Sequence, residues 1–144
     1  MSIDIVQLKS CPDFDRKTLA LAIASLLAEF EVTKDLSYLL TDDPHVHQLN
    51  RDFRQKDMTT DVLSFEMNDD IYPASPLGEV YISLDRASEQ AHRAGHLLQQ
   101  EVAHLAIHGT LHLLGYEHDT EEGYRRMVEK ERQHLSHLRP PRNL

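Results

Sequence analysis

The sequence predicts an α+β domain: a small mixed four-stranded sheet packed by helices, with the strands mostly in the first half and a histidine-bearing helix in the second. Three observations predict it. Short alternating apolar runs, such as Leu36/Tyr38/Leu40 and Val80/Ile82/Leu84, have the two-residue period of a half-buried strand. Longer stretches place apolar residues three and four apart, the period of a helix face. At 144 residues the chain is long enough for one hydrophobic core, and it reads as a single domain over 1–144.

Each element has its own signal. Ile3, Ile5 and Leu8 suggest an opening strand. Residues 15–31 read as a helix with Leu19, Ile23, Leu26, Leu27 and Phe30 on one face. Asp35–Thr41 is a second strand. Asp43-Pro44 reads as an N-cap followed by proline at the first helical position, opening a short helix to about Phe53. Asp61–Met67 is a third strand, 68–76 a polar loop with proline, and Gly78–Leu84 a fourth strand. Two helices follow, over 85–94 and 97–114, separated at Gly95. Asp119-Thr-Glu-Glu122 resembles a capping box and starts a last helix to about Leu138, with Asp119 as its cap. Pro140-Pro141 ends the order. No repeat or low-complexity segment interrupts the chain.

Composition narrows the function. No apolar run approaches the roughly 18 residues of a membrane span, and the N-terminus lacks the basic start and apolar stretch of a signal peptide. The single cysteine, Cys11, excludes an internal disulfide and suits a reducing compartment. A cytoplasmic protein is the expectation. The net charge of −9 argues against a simple polyanion binder. Its distribution softens that: residues 125–142 carry six Lys/Arg against two acids, and Asn50–Lys56 carries three against one. Charge alone does not separate a basic patch from a solvated helix face.

The run His108-Gly-Thr-Leu-His112-Leu-Leu-Gly115-Tyr-Glu-His118 carries the chemistry. His108 and His112, four apart on a helix, point to one side. Gly115 can end that helix in a left-handed turn and swing His118 back toward them. Three imidazoles then converge and leave a fourth position open, as in a catalytic rather than a structural zinc site. The chain has ten histidines, so rivals must be weighed. His104, His108 and His112 form a stripe whose ends lie about 12 Å apart along the axis, too far for one ion. His92/His96 and His134/His137 have pair spacings but no turn with a third ligand. Those, with His45 and His47, are expected at the surface or behind the ligands.

The spacing matches the metzincin pattern at its three histidines and its glycine, so the metal helix is zincin-like. It departs after the first histidine, where a peptidase needs a glutamate as general base. Here that residue is Gly109, and peptide hydrolysis loses its proton acceptor. The histidines thus predict a metal-dependent hydrolase of some other substrate.

The same run resembles the signature of the YbeY family of bacterial endoribonucleases and ribosomal RNA maturation factors. Leu49-Asn50-x-x-Phe53-Arg54-x-Lys56-Asp57-x-x-Thr60-Asp61-Val62-Leu63-Ser64-Phe65 is similar to the family's second motif, and Leu77-Gly78-Glu79-Val80 to its Leu-Gly-Asp-Ile strand. Glu101, Met127 and Glu131 also fall at family positions, so the resemblance covers about 35–135. Phe53, Thr59, Glu66, Glu79 and Glu117 depart mildly from its usual residues. The resemblance implies a zinc ion on His108, His112 and His118 and a functional arginine carried by Arg54; His108 and Arg54 are the catalytic candidates. Arg54 and Lys56 are the RNA-binding candidates, although Lys56 reads as readily as a solvated loop residue. It implies cleavage of single-stranded RNA, small-subunit ribosomal RNA maturation and ribosome quality control. Small-subunit ribosomal proteins and a ribosome-assembly GTPase are its implied partners, with no membrane. From the residues alone, Arg54 fits a phosphate or a structural salt bridge to Asp61 equally well. Glu117 and Asp119 flank the third histidine as candidate proton acceptors. A hydrolase of another substrate and a non-catalytic assembly factor with a structural metal stay open.

Overall fold

The computed structural model describes residues 2–11 and 14–136. The order is β1 (Ile3–Gln7), α1 (Arg16–Glu29), β2 (Leu36–Thr41), α2 (Asp43–Arg54), β3 (Val62–Glu66), β4 (Gly78–Ser83), α3 (Leu84–Ala94), α4 (Leu98–Leu113) and α5 (Glu121–Leu135). The strands form one sheet in the order β1-β2-β4-β3. The first three neighbours run parallel, and β3 pairs antiparallel with β4 along an edge. This is the mixed sheet and α+β class that the sequence predicts.

The alternating strand residues behave as their period requires. Leu36, Tyr38 and Leu40 of β2 and Val80 and Ile82 of β4 are fully buried. They meet Leu19, Ile23 and Leu27 of α1 and Val102, Ala103 and Ala106 of α4 in the main core. A smaller cluster of Leu26, Ile107, Leu111 and Met127 joins α1, α4 and α5. Helix α4 is therefore surrounded, which is why its apolar residues cover most of its circumference rather than one stripe. Thr110, fully buried on α4, shares a 2.6 Å hydrogen bond with the Tyr38 hydroxyl. Leu8 falls just outside β1 and is half exposed, although its N–H still reaches Leu40 O at 2.8 Å.

Two expected caps are shifted by one residue. Asp42, not Asp43, caps α2, accepting from the His45 N–H at 3.0 Å. Asp43 is drawn instead to the Ser83 hydroxyl at 2.6 Å and to Arg86 Nε at 3.1 Å, tying α2 to the β4–α3 junction. Thr120, not Asp119, caps α5 through the Gly123 N–H at 3.0 Å. The box cannot close there, because the third helical residue is Gly123, which has no side chain to return the bond. The expected end of α5 at Leu138 and the Pro140-Pro141 stop lie outside the described residues. No helix among the described residues is long and apolar enough to cross a membrane.

Candidate metal centre

The site begins with the end of α4. Gly115 adopts φ 96°, a conformation that glycine reaches without strain. Its N–H bonds His112 O at 3.1 Å, and the Tyr116 N–H bonds Leu111 O at 2.9 Å. That pair of bonds is the Schellman closure of a helix C-terminus. The turn does two things. It brings His118 back over His108 and His112, and it points the Tyr116 carbonyl at His112.

The three rings meet with centroids 4.7 Å (His108–His112), 5.4 Å (His108–His118) and 5.0 Å (His112–His118) apart. One nitrogen from each lies within 4.8 Å of the others. Two of the rings have settled tautomers. His112 Nδ1 stands 3.1 Å from Tyr116 O, and a carbonyl only accepts, so Nδ1 carries the proton. His108 Nδ1 stands 2.7 Å from Glu131 Oε2 and donates likewise. In the neutral rings both Nε2 atoms are lone pairs, and they face each other at 3.1 Å. A separation that short calls for a proton or a metal cation between them. Tetrahedral zinc with bonds near 2.0–2.1 Å spaces its nitrogens about 3.3 Å apart, so the donor set fits a metal. Burial first, then the neighbouring His108 and His118, hold His112 below the ordinary imidazole range, which keeps its lone pair available.

Arg54 ends α2 across the cleft. Its guanidinium donates to the Ser64 carbonyl and lies with Cζ 5.2 Å above the Phe65 ring. No carboxylate pairs with it among the described residues. Asp61, the alternative salt-bridge partner, is held instead by Gln90 Nε2 at 3.2 Å and the Thr60 hydroxyl at 3.4 Å. A cleft of about 770 Å³ contains Arg54, Lys56 and the three histidines on one wall or another, with Asp61 and Asp119 among its acids. Released from capping, Asp119 faces this cleft; Glu117 borders a different hollow beside α5.

The remaining histidines lie apart from this point. His45 bonds the Thr41 hydroxyl at 2.8 Å, and His47 pairs with Asp57 at 2.8 Å. His92 and His96 are exposed. His134, expected at the surface or behind the ligands, is buried away from the three rings, bonded to Ser25 Oγ at 2.9 Å and Glu29 Oε1 at 2.7 Å. His137 lies outside the described residues. His104 sits one turn before His108 and touches Glu131 instead of the other rings.

The sequence model for endoribonuclease YbeY matches residues 6–139. The chain belongs to the endoribonuclease YbeY family. A YbeY of Carboxydothermus hydrogenoformans is 44% identical over 94% of this chain and 96% of its own length. A YbeY of Campylobacter jejuni is 38% identical over 82% and 85%. A solution structure from Thermotoga maritima shares the fold, with a TM-score of 0.67 at 24% identity over 93% of this chain and 87% of that one. The YbeY match reaches back to β1, which the motifs alone do not cover.

Within this YbeY-family site, the sequence reading passed over Glu131 as a partner of His108 and over Glu101 as a partner of His104. One signal was available. On α5, Met127, Glu131 and His134 share the buried stripe at helical spacing, and an acid on such a stripe needs a partner.

Proposed function

We propose that this chain is a zinc-dependent endoribonuclease that cuts single-stranded RNA. The observation that carries the reading is the meeting, in one open cleft, of three converging imidazoles and an arginine that has no carboxylate partner among the described residues. Its relatives' name, endoribonuclease, supports the same conclusion. His108, His112 and His118 would hold the ion. When bound, zinc supplies a Lewis acid for a phosphoryl oxygen.

The chain's own residues account for the rest. A phosphodiester is already an anion and gains charge at its transition state, so it needs cationic stabilisation. Arg54 supplies a planar, permanently charged fork for two phosphate oxygens, held in aim by Ser64 O and Phe65. Lys56, exposed at the cleft, adds a second positive charge for the strand. A peptidase reading finds no support, since position 109 bears no carboxylate and faces the sheet: a Cβ there would lie 2.7 Å from Val80 Cγ1. A role in small-subunit ribosomal RNA maturation and ribosome quality control follows from the family resemblance. So do partnership with small-subunit proteins and an assembly GTPase, and work in the cytoplasm.

The test incubates one zinc-loaded sample with unstructured RNA, the matching duplex and a denatured protein. Metal-dependent loss of the single strand, abolished in His112→Ala, is expected. Cleavage of peptide with intact RNA overturns the reading. Arg54→Ala should keep zinc and fold while losing about 10²–10³ in cleavage rate, as when one charge-stabilising donor is removed. Arg54→Lys should recover part of it.

A further inference from the structure

Two buried carboxylates stand behind the histidine cluster, and the reading above uses neither. Glu131 is 8% exposed and Glu101 7%. A carboxylate is costly to bury unless it is hydrogen-bonded, and both are engaged. Glu131 reaches from α5 to two rings of α4 at once, with Oε2 2.7 Å from His108 Nδ1 and Oε1 3.1 Å from His104 Nε2. On its other side, His104 Nδ1 lies 3.5 Å from Glu101 Oε2. The contacts run Glu101, His104, Glu131, His108, and end at the ring whose bare Nε2 faces His112.

We infer that Glu131 is a positioning residue for the metal centre, locking the ring plane and tautomer of His108 while His104 holds Glu131 itself in place. The inference rests on the metal reading proposed above. Its physical basis is general: a carboxylate on the far nitrogen of a ligating histidine settles which nitrogen is bare and makes that nitrogen a stronger donor. Position matters as much as charge. His108 belongs to a buried helix, whereas Glu131 comes from α5, so the contact also sets how α5 docks beside the site.

Helix α5 has a second buried anchor that separates the two roles. His134 binds Ser25 and Glu29 of α1, away from the three imidazoles. Loosening that anchor weakens the docking of α5 without touching a ligand. The experiment compares Glu131→Gln with Glu29→Gln in the full chain. Zinc affinity is read by competition with a chromogenic chelator, the ligand field by the visible spectrum of the cobalt(II) form, and stability by unfolding of the metal-free protein. Glu131→Gln is expected to weaken zinc binding about 10–100-fold and to shift the cobalt bands. Glu29→Gln is expected to lower stability while leaving both metal readouts at wild-type values. Wild-type zinc affinity and cobalt spectrum in Glu131→Gln, or equal losses in both variants, would overturn the inference. A wild-type chain that takes up no zinc overturns the metal reading and this inference together; one that binds zinc equally with Glu131→Gln overturns the inference alone. Should Glu131→Gln fail to fold, Glu131→Asp carries the same comparison, keeping the charge but falling one methylene short of Nδ1.

Discussion

Gly109 lies between His108 and His112 on α4, and its missing side chain has a packing cause. An added Cβ would meet Val80 Cγ1 at 2.7 Å, Ser64 Oγ at 2.9 Å and Val62 Cγ2 at 3.2 Å, all on the sheet. The Ser64 hydroxyl also donates to Gly109 O at 2.8 Å, so a short side chain of β3 rests directly on the backbone of α4. Alanine gains about 1 kcal/mol of helix propensity over glycine. Overpacking against stiff β-branched neighbours costs about 1–3 kcal/mol, and the contacts here are short. Gly109→Ala should therefore lower the urea midpoint, and Gly109→Glu should lower it much further without creating peptide cleavage. The histidines make a second residue-scale prediction. Alanine at His108, His112 or His118 should sharply cut the zinc retained on purification, while His92→Ala and His96→Ala should not; elemental analysis of the purified variants decides. Those three positions were legible in the sequence because a helix and one glycine turn relate them locally. Glu131 was not, because its bond to His108 spans 23 positions and two helices. The shifted caps have a similar cause. Asp42-Asp43 and Asp119-Thr120 each offer adjacent candidates; at α2 the distant partners Ser83 and Arg86 take Asp43 and leave the cap to Asp42.

At the scale of elements, the joint between α4 and α5 is electrostatic as well as apolar. Hydrogen bonds to Glu101, then Glu131, push His104 up to about 10. Burial opposes the charge of Glu131 most strongly, yet bonds from His104 and His108 outweigh it and push the carboxyl down to about 2. A raised histidine contributes stability that is fully present below its unfolded value near 6.5 and is lost as pH rises through 10. A depressed carboxylate contributes stability present above about 4.5 and lost as pH falls through 2. The joint of the metal-free protein should thus be firmest between about pH 4.5 and 6.5. Thermal unfolding across pH 3 to 10 checks it, and His104→Ala should flatten the alkaline limb. The strands and helices themselves were legible to within a residue or two, since strict alternation and helical stripes both report one-sided burial. Two helices have low contrast: α4, where burial on several faces erases the stripe, and α1, where the exposed Leu21 blurs it.

For the whole molecule, charge limits how RNA can be held. The net −9 surrounds a cleft with two cations, Arg54 and Lys56. The basic stretch over 125–142 adds less than its count suggests, because Arg126 pairs with Glu122 and Lys130 with Glu29. Single strands lose affinity with a slope of about −0.7 per neutralised phosphate on a log–log salt plot, so two contacts give about −1.4. Anisotropy titrations of metal-free protein on a short unstructured RNA should show that shallow slope, and Arg54→Ala should halve it. A slope several times steeper would place further cations on the path. The order of parts along the chain has a consequence for shortened chains. The sheet is complete by Ser83 and the third imidazole by His118, but the carboxylate that bonds His108 arrives only with α5. On the proposed metal reading, a chain cut in the turn before α5 keeps all three imidazoles and loses the brace. Such a truncated product is expected to hold zinc more weakly than one that includes α5.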